Sequence, residues 1–155
     1  MQQINENSVP AKSKAPAEDV KPATPNWLSR TLVWNPVYYT LCTSDERFQA
    51  ILEHCEFKQK CSFLSAEDSE ATTWQFESDS GRCVCIVNIP ALPDREDQLE
   101  VVGLIAHEAV HVWQKVRQHL SIEAVEAIGE EFEAYALQGI IQELLMEYRK
   151  QVYEC

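Results

Sequence analysis

The chain has 155 residues, 45% of them apolar and 25% charged, which fits one soluble domain with a modest core and argues against two. Thirteen Lys and Arg set against 25 Asp and Glu give a formal net charge of -12, a surface that repels phosphate backbones and anionic lipid head groups and so disfavours nucleic-acid and membrane partners. The apolar stretch Val101 to Ala106 is far shorter than the roughly 18 residues a membrane span needs, and the N-terminus lacks the basic-then-apolar order of a signal peptide. The six cysteines are accordingly read as free thiols of a reducing, cytoplasmic compartment.

Residues 1–26 hold Pro10, Pro16, Pro22 and Pro25 among Lys, Ala, Ser, Glu and Asp, with almost nothing to bury, and are expected to form a disordered tail. From Trp27 apolar residues crowd together, through Trp34, Tyr38, Tyr39 and Leu41, and the folded domain is expected to span 27–155. Ser44, Glu46 and the apolar positions Phe48, Ile51 and Leu52 predict an N-capped amphipathic helix to about Cys55. Thr72 to Ser78 and Arg82 to Ile89 are β-rich runs on either side of Asp79-Ser80-Gly81, which is hairpin chemistry. A helix capped by Asp94 should follow, reaching about Gln118, with Val102, Ile105, Ala109, Val112 and Val116 facing the hairpin. After a short helical turn near 121–127 and Gly129, a last helix from about Glu130 to Val152 is apolar on most sides between Ala134 and Met146 and is expected at the centre of the core. Cys83 and Cys85 are assigned to opposite sheet faces, one thiol in the core and one exposed.

The chemistry concentrates in His107-Glu108-Ala109-Val110-His111, an H-E-x-x-H motif in the middle of the first long helix. Four helical residues advance about 6 Å and slightly over one turn, so both imidazoles project from one face and can reach a single metal ion. Glu108 lies about 100° round the helix, where it can touch a metal-bound water without being a ligand. A catalytic zinc with two His ligands still lacks one protein donor, which must come from a second element packed on the first. Twenty residues after His111 stands Glu131, in Glu131-Phe132-Glu133-Ala134-Tyr135.

In these motifs the sequence resembles the gluzincin metallopeptidases, in which H-E-x-x-H on one helix is completed by a Glu near the start of the next. From Trp27 onward it is similar to small phage-encoded H-E-x-x-H proteins, through Asn35-Pro36, Tyr39, Leu41-Cys42, the run from His107 to Gln114 and the run from Glu131 to Tyr135. The resemblance implies an α+β, zincin-like minimal metallopeptidase: a small antiparallel β-hairpin or sheet packed on the H-E-x-x-H helix and a C-terminal glutamate helix. It implies Zn2+ held by His107, His111 and Glu131, with Glu108 as general base. Tyr135 stands where related proteases carry an Asp that orients a ligand histidine, and a phenol there would accept that hydrogen bond or donate to a developing oxyanion. Periodicity also groups Glu131 with Tyr135, Gln138 and Gln142 in a polar strip that would face a metal, whereas Glu133 falls with Leu137, Ile140 and Leu144.

The function expected is peptide-bond hydrolysis by Glu-assisted attack of zinc-bound water on a peptide or protein substrate. An extended substrate would lie along a strand edge, with Cys83 to Ile89 the candidate strand. The alternative is a zinc-stabilised binding or regulatory module without proteolytic activity, since roughly 130 folded residues leave little chain for a deep cleft. His119 is read as a solvated helix cap, and His54, Cys55 and Cys61 as too few donors for a second metal site.

Overall fold

The computed structural model describes residues 25–28, 36–78, 81–92, 98–122 and 129–153. In chain order the elements are β1 (Val37–Cys42), α1 (Asp45–His54), β2 (Thr72–Glu77), β3 (Cys83–Asn88), α2 (Gln98–His119) and α3 (Glu130–Tyr153), an α+β arrangement. None of these helices is long and apolar enough to cross a membrane.

The predicted hairpin is present: β2 pairs antiparallel with β3, Thr73 opposite Val87 and Gln75 opposite Cys85. The sheet is nevertheless mixed rather than antiparallel. β1 pairs parallel with β3, Val37 opposite Cys83, so the order is β1-β3-β2. Parallel neighbours need a long crossover, and α1 with the segment after it supplies one. β3 is thereby the central strand, buried at every position from Cys83 to Asn88. It has a paired neighbour on each side, which corrects the expectation that Cys83 to Ile89 receives a substrate; among the described residues the outer strands are β1 and β2, and both touch α2.

Strand alternation sorts the side chains into two cores. Val84 and Ile86 turn to one face and meet Phe76, Cys42 and the α1 residues Phe48, Ile51 and Leu52. The α1 helix starts where predicted, with the Ser44 hydroxyl accepting from Arg47 N at 3.4 Å. Cys83, Cys85 and Val87 turn to the other face and meet Ile105, Ala109 and Val112 of α2 and Ala136, Ile140 and Leu144 of α3. Residues two apart on a strand share a face, so the assignment of Cys83 and Cys85 to opposite faces was mistaken, and both thiols are buried. Burial pushes the Cys85 thiol up to about 12, and it raises that of Cys83 as well. On α2 the buried first-turn valine is Val101, with Val102 only partly covered.

α3 is one-sided rather than central. Ala136, Ile140, Leu144 and Tyr148 are buried, whereas Tyr135 and Met146 remain 67% and 63% exposed. Polar groups fasten it to the sheet: Glu143 accepts from the Tyr39 hydroxyl, and Gln151 Nε2 donates to Leu41 O at 2.8 Å. Glu147, only 5% exposed, accepts from Asn26 Nδ2 at 2.5 Å and from Gln151 Nε2 at 2.8 Å. Packing therefore reaches back past Trp27 to Asn26 and to Pro25, which is buried. The remainder of the expected tail, residues 1–24, lies outside the described residues, as do Asp94, the tip of the hairpin and most of the turn before Gly129.

Candidate metal centre

α2 presents its motif as the periodicity requires. Ala109 and Val112 are buried under the sheet, so His107 and His111, on a neighbouring stripe of the helix, stand at its surface. Their rings are 5.0 Å apart between centroids at 75°, and the two Nε2 atoms lie 3.2 Å from each other. Two nitrogens bound tetrahedrally to zinc at 2.0–2.1 Å stand about 3.3–3.4 Å apart. The pair is therefore already set at the spacing of two ligands on one ion. His111 Nδ1 is 3.1 Å from Gln114 Oε1, and a proton shared there leaves Nε2 as the electron-pair donor.

Glu108 points away from solvent and towards β2. It is 4% exposed, and its Oε2 accepts from Thr73 Oγ1 at 2.5 Å. Two further contacts continue along the same seam: Gln75 Nε2 donates to His111 O at 3.4 Å, and Lys115 Nζ stands 3.8 Å from Glu77 Oε2. Sequence reasoning missed Thr73 and Gln75. The signal was available, since Thr73, Gln75 and Glu77 alternate with Trp74 and Phe76 and so mark one polar face of β2.

The third predicted ligand is not brought to this pair. Glu131, Tyr135, Gln138 and Gln142 are all exposed on the outer face of α3. Glu133 is the carboxylate turned towards α2, accepting from Trp113 Nε1 at 2.6 Å with Arg117 Nη1 at 3.6 Å. The inward stripe of α3 is apolar, and Glu133 shares it, so the polar strip is left to solvent. Among the described residues no group of three His, Cys, Asp or Glu is gathered closely enough to hold a metal. The donors thus fit a metal ion in part, through two imidazoles of suitable spacing, and do not make up the three protein ligands of a catalytic zinc.

The other candidates lie elsewhere. His119 ends α2 with Nδ1 3.1 Å from the Cys83 thiol, rather than standing as a purely solvated cap. His54 is exposed in the last turn of α1, and Cys55 and Cys61 are free thiols, as are Cys42, Cys83 and Cys85. Comparison with family models, with curated proteins and with solved structures finds no match to this chain, so the reading of the centre rests on its own geometry and chemistry.

Proposed function

We propose that the chain is a zinc-dependent hydrolase of the H-E-x-x-H kind, a small zincin-like peptidase acting on peptide bonds in the cytoplasm. The observation that carries the reading is the 3.2 Å approach of His107 Nε2 and His111 Nε2 beside a carboxylate that is not their hydrogen-bond partner. Bound zinc would supply Lewis acidity for a carbonyl and for water. The chain's own part is narrower. His107 and His111 would hold the ion, and Glu108 Oε1, the oxygen not used by Thr73, would receive a proton from water and return it to the leaving amine. An extended peptide would add to the open edge of β2, antiparallel pairing being available where Thr73 and Gln75 already lie against α2. The free thiols fit a reducing compartment. Glu131 and Tyr135 lend the reading no geometric support.

A second reading has its own support. The buried Glu108 carboxylate is fastened to Thr73 rather than left free for water, which suits a binding module without hydrolytic activity. One experiment separates them: native mass spectrometry for zinc, paired with a peptide-library cleavage screen of the wild type and Glu108→Gln. Zinc with Glu108-dependent cleavage supports the hydrolase, zinc without cleavage supports the module, and no zinc removes both.

A further inference from the structure

The outer face of α3 carries large side chains that the fold leaves uncovered. Phe132, Tyr135, Met146 and Tyr153 are 44%, 67%, 63% and 53% exposed, although Phe132 also leans on Trp113 with ring centroids 6.3 Å apart. With Gly139 and Arg149 they fall on one stripe, at intervals of three or four residues or sums of these, which is the spacing of a coiled-coil seam. Gly139 is the second observation. A glycine inside a helix is less favourable than alanine, yet a Cβ at this position would meet nothing within 4 Å. Among the described residues no contact calls for a glycine there.

We propose that this stripe is the seam of an antiparallel homodimer, α3 of one copy packed on α3 of a second. One register matches the stripe from Phe132 to Arg149, with Tyr153 falling beyond the start of α3 of the second copy. It sets Tyr135 level with Met146 of the second copy, giving a sulfur-aromatic contact twice over by symmetry. Phe132 then lies level with Arg149 of the second copy, whose guanidinium can cover its ring. Gly139 falls opposite Gln142 of the second copy, near the two-fold axis, where the missing side chain lets the two backbones approach. Charge selects the direction. The first turn of α3 holds Glu130, Glu131 and Glu133, and its last turns hold Arg149 and Lys150. Antiparallel pairing places acid beside base at both ends and opposes the helix dipoles, whereas parallel pairing would set acid against acid. The seam uses neither imidazole and requires no metal. A seam of one helix per copy is at the small end of specific interfaces, so the expected affinity is roughly micromolar.

Sedimentation velocity over a concentration series tests it on the full chain. The wild type should show a monomer-dimer equilibrium. Met146→Glu should raise the dissociation constant by more than about tenfold, and Tyr135→Lys should do the same. The double variant Tyr135→Lys with Met146→Glu should regain dimer, because the register sets the new Lys level with the new Glu. Both positions are exposed, so helix content by circular dichroism should stay that of the wild type, and if either single variant unfolds the other gives the same reading. Gly139→Ala should weaken the dimer while raising the thermal midpoint of the monomer. A wild type that remains monomeric at millimolar concentration, single variants that associate unchanged, or a double variant that stays apart would each overturn the proposal.

Discussion

Glu108 Oε2 and Thr73 Oγ1 stand 2.5 Å apart, and this hydrogen bond joins the motif helix to the edge strand beside it. A buried carboxylate depends on such a partner, because losing it leaves the desolvation cost of the charge without compensation. Thr73→Val keeps the shape and removes the donor. It should lower stability by about 1–3 kcal/mol in urea titrations. Glu108→Gln should cost less, since its amide oxygen can still accept from Thr73, while any hydrolysis disappears because an amide takes no proton from water. A Thr73→Val variant as stable as wild type would show that the bond is dispensable.

The facing imidazoles predict a metal effect on stability with a defined ligand dependence. Zinc at about a hundredfold excess over its dissociation constant should stabilise the native state by about 2.7 kcal/mol, which for a chain of this size is a rise in thermal midpoint of roughly 5–10 °C. His107→Ala and His111→Ala should each abolish the rise. Differential scanning calorimetry with and without zinc reads it directly, and a rise retained in either variant would locate the metal elsewhere.

What the sequence disclosed and what it concealed divide along physical lines. Local signals were legible: the Ser44 cap, the β2–β3 hairpin around Gly81 and the motif helix depend on neighbours in sequence, and each is present. The pairing of β1 with β3 was not legible, because a parallel neighbour is joined through a long crossover that leaves no pattern at the strands themselves. At the centre, the helical period put His107 and His111 on one face, and the structure agrees. Periodicity also divided α3 into two stripes correctly. It could not say which stripe faced inwards, since a polar strip suits a metal site and open water equally, and the apolar set from Ala136 to Tyr148 took the interior.

Two buried thiols predict how stability falls in alkali. Burial is the largest cause that pushes Cys42 and Cys85 up to about 12, against an ordinary value of 9.0. Below pH 9 both groups are protonated folded and unfolded, and their contribution is fully present. Between pH 9 and about 12 the unfolded chain has released protons that the native state retains, so stability must fall as pH rises through this window. Urea midpoints measured from pH 8 to pH 11 should decline, and the decline should be shallower in a Cys42→Ala, Cys85→Ala variant. Equal slopes in the two proteins would mean that other groups set the alkaline limb.

Glu131 and Glu133 are two residues apart at the start of α3, and their neighbours give them opposite consequences when removed. The Trp113 indole is 2% exposed and donates its N–H to Glu133 Oε1 at 2.6 Å. Glu133→Ala deprives that buried donor of its partner and Arg117 of a nearby carboxylate, and should destabilise by about 1–3 kcal/mol. Glu131 is exposed on the outer face, so Glu131→Ala should change stability by no more than about 0.5 kcal/mol. Zinc affinity adds a second axis. With α3 oriented as here, neither carboxylate reaches the imidazoles, and competition against a chelator should give both variants the affinity of the wild type. The gluzincin resemblance implies the contrary for Glu131, whose loss would then weaken zinc binding by several kcal/mol and loosen the contact between the two helices, because metal binding and folding are coupled. A chelator titration in which Glu131→Ala alone loses zinc would require the first turn of α3 to swing its outer face towards His107 and His111. That result would also break the proposed seam, since Tyr135 would turn with it.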